Sequence, residues 1–238
     1  LDILIPLGKG SRWQDNELRY CLRSIEKSLV GVGNIFIVGE CPEWLTGVIH
    51  IPFSDVPGYG YRDKNIFLKI MAGCEDKRLS DDFLFMNDDH YLLQNFIIEE
   101  FPYFNQGLLK DKINSMGDGI PYKKVLVNTY DAMRRHHWLL DFDVHCPIIY
   151  NKKRFALSFP EIKSWPDYGF AIKSMYCNKN GIEGIACEDL KFRDKLTAGQ
   201  IKVVLQGRSF FSIGDRCLHG EMKQVLEELY PIKSKYEL

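Results

Sequence analysis

The stretch Phe83 to Leu93 (FLFMNDDHYLL) constrains this chain more than any other. Large apolar side chains run from Phe83 to Met86, then give way to Asn87, to the adjacent carboxylates Asp88 and Asp89, and to His90. A near-continuous apolar run of this length reads as a strand buried on both faces, which is the habit of parallel sheets covered by helices. In such sheets the ligand crevice lies at the carboxyl ends of the strands, where Asn87, Asp88 and Asp89 would stand. Paired carboxylates there suit a divalent cation and, through it, a phosphate group. The same residue types also form solvated turns and helix caps.

The chain before this point alternates strand and helix. Asp2 to Leu7 (DILIPL) reads as a short apolar strand, followed by the turn Gly8-Lys9-Gly10-Ser11. The turn lacks the Gly-x-x-x-x-Gly-Lys-Ser/Thr spacing of a phosphate loop. A turn after the first strand is nevertheless a common seat for a nucleotide, which marks Leu7 and Gly8. Between Asn16 and Leu29, apolar Leu18, Cys21, Leu22, Ile25 and Leu29 recur at helical spacing, with Asn16 as the expected N-cap. Arg19 and Arg23, four apart, share one face of that helix and are open to solvent, to an acidic partner or to a phosphate. Strands are expected at Asn34–Glu40 and Val48–Phe53. Pro57, Gly58 and Gly60 make Ser54–Arg62 a loop, and Asp63–Asp76 is helical by period. Arg62, Lys64 and Asn65 stand at the mouth of this helix, where such groups face phosphates or a base, or are simply helix-end polar residues.

Beyond Leu93 the alternation loosens. Pro121 opens a helix expected to reach about Leu140, carrying Asp131, Arg134, Arg135, His136 and His137. Neighbouring histidines on a helix point in different directions, so they do not share a metal. Asp141–Phe155 combines a strand, a His-x-Pro turn at His145 and a basic cluster. His145 is either a core histidine or a site group. Trp165, Pro166, Asp167 and Tyr168 form an aromatic loop suited to stacking on a sugar or to filling a core. Glu188 and Asp189 precede a helix-like stretch, Ile201–Leu205 reads as a strand, and Glu221–Tyr230 reads as a helix just after His219. With no repeat or low-complexity linker, residues 1–238 form a single expected domain, whose second half is elaborated.

Bulk properties exclude several classes. A formal net charge of −1 over 238 residues rules out a chain that binds nucleic acid by overall charge. Charge is uneven, however: Gln106–Pro160 holds nine Lys or Arg against five Asp or Glu, compatible with an anionic partner or a solvated face. Seven cysteines, an odd number with no Cys-x-x-Cys pair, point to reduced thiols and a cytoplasmic setting. Neither His145–Cys146 nor Cys217-x-His219 has the spacing of a zinc finger. No apolar run reaches membrane-spanning length. The chain opens on Leu1 rather than Met, which leaves room for a segment ahead of it.

Three segments, ELRYCLRSIEK at Glu17–Lys27, FLFMNDDHYLL at Phe83–Leu93 and VHCPIIYNKKRF at Val144–Phe155, together resemble the Stealth family of sugar-phosphate transferases. They also resemble related nucleotide-sugar glycosyltransferases of the GT-A type. The resemblance covers about two thirds of the chain, and its first two motifs are the more specific. It departs at the first strand: the family usually ends that strand in Trp-Val-Asp-Gly, and here Pro6-Leu7-Gly8-Lys9-Gly10 stands instead. The Glu188-Asp189 pair looks like the Glu-Asp element of inverting GT-A glycosyltransferases.

What the resemblance implies is an α/β, GT-A-like (Rossmann-like) mixed sheet flanked by helices. Residues 1–93 would be its nucleotide-binding half and 94–238 its acceptor-side half. It implies a metal-dependent glycosyltransferase that moves a sugar from a nucleotide-diphosphate sugar to an acceptor hydroxyl, with Mn²⁺ or Mg²⁺ as cofactor. Asp88 would face the ribose, Asp89 would hold the metal with Asp88 beside it, and His219 would be a further metal ligand. Leu7, Gly8, Arg19, Arg23, Arg62, Asn65 and Asn87 would complete the nucleotide-sugar site, the arginines neutralising the leaving diphosphate. Asp189 would be the base, with Glu188 and His145 behind it. The acceptor could be anionic, such as an acidic glycan or modified DNA. Two alternatives stand beside this: a Stealth-like sugar-1-phosphate transferase releasing a nucleoside monophosphate, and a non-catalytic nucleotide-sugar binding module.

Overall fold

The computed structural model of the protein describes residues 1–57, 62–133 and 138–238, with Arg62 described by its backbone alone. The first half supplies β1 (Asp2–Leu7), α1 (Asn16–Ser28), β2 (Leu29–Val30), β3 (Ile35–Gly39), β4 (Ile49–Pro52), α2 (Arg62–Glu75), β5 (Asp82–Phe85) and β6 (His90–Leu92). The second half supplies β7 (Phe96–Ile97), β8 (Phe104–Asn105), α3 (Leu109–Ser115), α4 (Pro121–Met133), β9 (Ile148–Asn151), α5 (Lys152–Leu157) and α6 (Ile172–Lys179). It ends with β10 (Ile185–Ala186), β11 (Lys191–Phe192), α7 (Ala198–Leu205), β12 (Phe210–Ile213) and α8 (Gly220–Leu229).

The central sheet has the order β4-β3-β1-β5-β9. Four of its strands are parallel, and β9 closes the edge antiparallel to β5, with Phe85 opposite Ile148. This is a mixed α/β arrangement flanked by helices, compatible with a Rossmann-like fold. From β1 the chain builds outward through β3 and β4, then returns to the other side of β1 as β5. The direction of growth therefore reverses between β1 and β5, and a crevice opens at the carboxyl ends of those two strands.

Alternation along β1 explains how the sheet is covered on both faces. Ile3, Ile5 and Leu7 pack with Leu18, Cys21, Leu22 and Ile25 of α1, while Leu4 faces Phe67 and Ile70 of α2. Ile3, Leu4 and Ile5 are fully buried, each contributing about 1.5–3 kcal/mol relative to exposure. Gly73 lets α2 approach closely: a Cβ there would lie 2.1 Å from Leu4 Cδ1. A second, three-stranded sheet, β11-β12-β6, brings the C-terminal half against the residues that follow β5. In it, Ser212 pairs with His90.

Several local expectations change. Ile201–Leu205 is not a strand but the body of α7, because Thr197 and Gln200 form a reciprocal capping box that starts a helix ahead of the β-branched run. The stretch after Asp189 is not helical; Lys191 and Phe192 pair with Ser212 and Ile213 as β11. The described part of α4 ends at Met133, and Leu140 is already in an isolated bridge to Leu108. Arg134, Arg135, His136 and His137 lie outside the described residues. Asn16 is the first residue of α1 rather than its cap: the cap is Asp15, in the left-handed region at φ 55°, and the Asn16 side chain donates to the Trp13 carbonyl at 2.5 Å. Trp165 fills the core, 5% exposed and tilted against Phe67 at 4.5 Å, so it is not free to stack on a sugar. All seven cysteines are free thiols. Among the described residues no helix is long and apolar enough to cross a membrane.

Candidate active site

Two clefts of about 700 and 670 Å³ lie side by side at the carboxyl ends of β1 and β5. The first is walled by the turn after β1 (Gly8, Lys9, Gly10, Ser11), by Asn65 and Lys69 of α2, and by Asn87, Asp88 and Asp89 after β5. The second is walled by His90, His145, Lys173 and Asp189, with Tyr122 and Asp143. Asp63, Ile66, Asn87 and Lys191 border both.

The acidic end of β5 reaches this position because the pairing with β1 continues one step past the strand, Met86 N–H donating to the Leu4 carbonyl at 3.1 Å. The chain then turns back at once. His90 N–H donates to the Asn87 carbonyl at 3.2 Å, and Asn87 N–H donates to His90 Nδ1 at 3.3 Å. That tight return holds the two carboxylates at the rim. Burial, then the neighbouring charges of Asp89 and Glu17, push the Asp88 carboxyl up to about 8. Glu17, itself buried, is also raised, chiefly by burial. Against these carboxylates stand Lys69 and Lys191. Lys69 is 4% exposed, donates to the Leu7 carbonyl at 2.9 Å and pairs with Asp55 at 2.7 Å. Lys191 Nζ lies 3.0 Å from Asp89 Oδ2.

Asp89 Oδ1 is buried and has no hydrogen-bond partner among the described residues; the Nε2 of neutral His90 lies 3.9 Å away. Those residues contain no group of three or more His, Cys, Asp or Glu side chains able to hold a metal ion. The donor set therefore does not make an all-protein cage. It fits a hard divalent ion bound by one or two carboxylates that takes the rest of its oxygen shell from phosphate and water.

In the second cleft Asp189 holds His145 at two points. Its Oδ1 accepts the His145 backbone N–H at 2.8 Å, and its Oδ2 lies 2.7 Å from Nδ1. Burial alone would raise the Asp189 pKa. The hydrogen bond and charge of His145 outweigh it, and the carboxyl is held below its ordinary value. A carboxylate in that place keeps the Nδ1 proton and leaves Nε2 as the ring nitrogen with no hydrogen bond among the described residues. Lys173, 6% exposed, braces the same turn by donating to the carbonyls of Val144 and Cys146, both at 2.6 Å. His90, fully enclosed, is pushed well below its ordinary pKa by burial and by the nearby positive charge of Lys173, and so is neutral.

Of the residues singled out from sequence, Gly8, Asn65, Asn87, Asp88 and Asp89 meet in the first cleft, and His145 and Asp189 in the second. Others are elsewhere. Leu7 is 1% exposed and takes part only through its carbonyl. Arg19 and Arg23 do not line either cleft; both grip Glu237 in the C-terminal tail, at 3.1 and 2.7 Å, and the Arg19 guanidinium lies 3.8 Å over the Trp44 ring. A distant acidic partner claims that helix face, which local spacing cannot reveal. The Arg62 side chain lies outside the described residues. Glu188 is exposed and pairs with Arg208 at 2.6 Å, while its neighbour Asp189 is taken by His145. His219 caps α8, its Nδ1 accepting the Met222 N–H at 3.4 Å, and it lines neither cleft.

Asp63, Lys69, Lys173 and Lys191 also line the clefts. Only Asp63 had a usable signal, its position beside the Arg62, Lys64 and Asn65 helix mouth. The lysines sit in ordinary amphipathic or loop contexts. No protein-family model matches the chain, and no curated protein matches it.

Proposed function

We propose that the protein is a glycosyltransferase of the GT-A type, moving a sugar from a nucleotide-diphosphate sugar to an acceptor hydroxyl. The supporting observation is the junction of the two clefts, with paired carboxylates on one side and an oriented His145–Asp189 pair on the other. The nucleotide diphosphate lies in the first cleft, against the turn Gly8–Ser11 and Asn65. Lys69 and Lys191 offer positive charge to its phosphates. A Mg²⁺ or Mn²⁺ ion held by Asp88 and Asp89 would add Lewis-acid stabilisation of the leaving diphosphate.

The acceptor hydroxyl enters the second cleft. Its oxygen forms the new bond to the anomeric carbon as the bond from that carbon to the diphosphate oxygen breaks. The bonding pair leaves with the diphosphate, and the hydroxyl proton passes to His145 Nε2. Asp189 keeps the imidazole in the accepting tautomer and stabilises the imidazolium that results, as the carboxylate of a catalytic triad does. Asp189 is thus a positioning residue and His145 the base. Lys112, Lys191 and Arg193 line this cleft and favour an acceptor bearing negative charge.

The released nucleotide tests this. Incubation with nucleotide sugars and Mn²⁺, followed by anion-exchange chromatography, should yield a nucleoside diphosphate. A nucleoside monophosphate would instead mean transfer of the sugar phosphate. Donor binding by calorimetry with no nucleotide released over long incubation would mean a binding module.

A further inference from the structure

Any group that passes from the first cleft to the second must cross the border they share. Four side chains make that border: Asp63, Ile66, Asn87 and Lys191. Ile66 offers no hydrogen bond, and Lys191, 3.0 Å from Asp89, is the cation assigned above to the phosphates. Asn87 has its backbone engaged, its N–H donating to His90 and its carbonyl accepting the Cys21 thiol at 3.6 Å, and its side-chain amide, a neutral group without a titratable proton, is also without a hydrogen bond among the described residues. The Asp63 side chain has no hydrogen bond or ion pair among the described residues, although it stands in the first turn of α2 at the edge of both clefts. The charge that acts on it, Asp143, is itself hydrogen-bonded by the Tyr122 hydroxyl.

Resting on the glycosyltransferase function proposed above, the geometry points to Asp63 as the residue that reads a hydroxyl of the transferred sugar and so sets which sugar is accepted. Two properties suit it to that task. Burial, with Asp143 adding to it, holds its carboxyl up to about 8, so near neutral pH the group can both donate to and accept from a hydroxyl. A half-buried group placed to hydrogen-bond a hydroxyl also disfavours analogues that lack it, because they leave the group unpaired.

The test is calorimetric titration of the whole chain with UDP and GDP and with UDP-glucose, UDP-galactose, UDP-N-acetylglucosamine and GDP-mannose, in the presence of Mn²⁺. Wild type should bind one nucleotide sugar more tightly than the matching nucleoside diphosphate. Asp63→Ala should lose that increment, about tenfold or more, while keeping its affinity for the nucleoside diphosphate. Asp63→Asn should keep part of the increment. Monodeoxy analogues of the preferred sugar should identify one hydroxyl whose removal weakens wild type but not Asp63→Ala.

An Asp63→Ala protein that retains the full increment overturns the inference and leaves the proposed function standing. So does a wild type that binds the nucleoside diphosphate but gains nothing from any sugar. A wild type that binds none of the six ligands overturns both. If Asp63→Ala shows no cooperative melt, Asp63→Asn against the monodeoxy series decides by the same criterion.

Discussion

Asp189 grips His145 through both carboxylate oxygens, one on the backbone N–H at 2.8 Å and one on Nδ1 at 2.7 Å. Two contacts to one residue fix ring orientation as well as tautomer and leave Nε2 open, the atom to which the proposed function gives the role of base. His145→Ala should lower transfer by about 10²–10⁴-fold, the usual yield of a positioned base. Asp189→Asn should lower kcat by a smaller factor and shift the pH–rate profile, because the imidazolium loses its counter-charge. Initial-rate measurements from pH 5 to 9, with donor affinity as the control, check both. Unchanged kcat in His145→Ala would remove it from the role of base.

Asp89 is the carboxylate with one oxygen on Lys191 and one buried oxygen unpartnered. Asp89→Ala should abolish nucleotide release while the protein still melts cooperatively, and should remove any Mn²⁺-dependent rise in melting temperature seen in wild type with donor. A Mn²⁺ response that survives the substitution would locate the ion elsewhere.

Glu237 ties the C-terminal tail to α1 through Arg19 and Arg23, and its side chain is wholly buried. Burial raises its pKa, but the hydrogen bonds from Arg23, Ser234 and Arg19 prevail and hold it at about 2. A depressed carboxyl stabilises the fold above its unfolded value near 4.5 and loses that contribution as pH falls toward 2. Glu237→Gln should therefore cost about 1–3 kcal/mol at pH 7, and the difference from wild type should shrink over pH 4.5 to 2. Urea melts at several pH values read this directly. Arg19→Ala and Arg23→Ala should lower stability without changing donor affinity.

The sign is opposite at Asp63. Its folded pKa of about 8 exceeds the ordinary 3.8, so ionisation in the unfolded chain destabilises the native state increasingly from about pH 4 to pH 8. Asp63→Asn should match wild type near pH 4 and be more stable, on the order of 1–3 kcal/mol, at pH 8. Equal melting temperatures at pH 8 would mean that the carboxyl is not held up.

Thr197 and Gln200 nucleate α7 by capping each other's backbone. Thr197→Ala should cost about 1 kcal/mol and fray α7, a loss visible in helical circular dichroism and in faster amide exchange at Ile201.

Local pattern determined the framework of this protein. Apolar runs at Asp2–Leu7, Ile35–Gly39 and Phe83–Phe85 specify buried strands wherever they lie in space, and the 3.6-residue period between Asn16 and Leu29 specifies a helix with one face for the core. An acidic pair directly after a buried strand must emerge at a sheet end, so the place of Asp88 and Asp89 at the rim of a cleft was legible without coordinates. Tertiary structure alone decided the rest, because those outcomes depend on partners far along the chain. Arg19 and Arg23 met Glu237 rather than a phosphate, Lys191 reached Asp89 from far along the chain through β11, and Asp189 was turned into the cleft to hold His145 while Glu188 was turned out to Arg208. The run Phe83–Leu93 sets where the acidic rim of the clefts lies; which charges face one another across them is set by long-range packing, which no local spacing encodes.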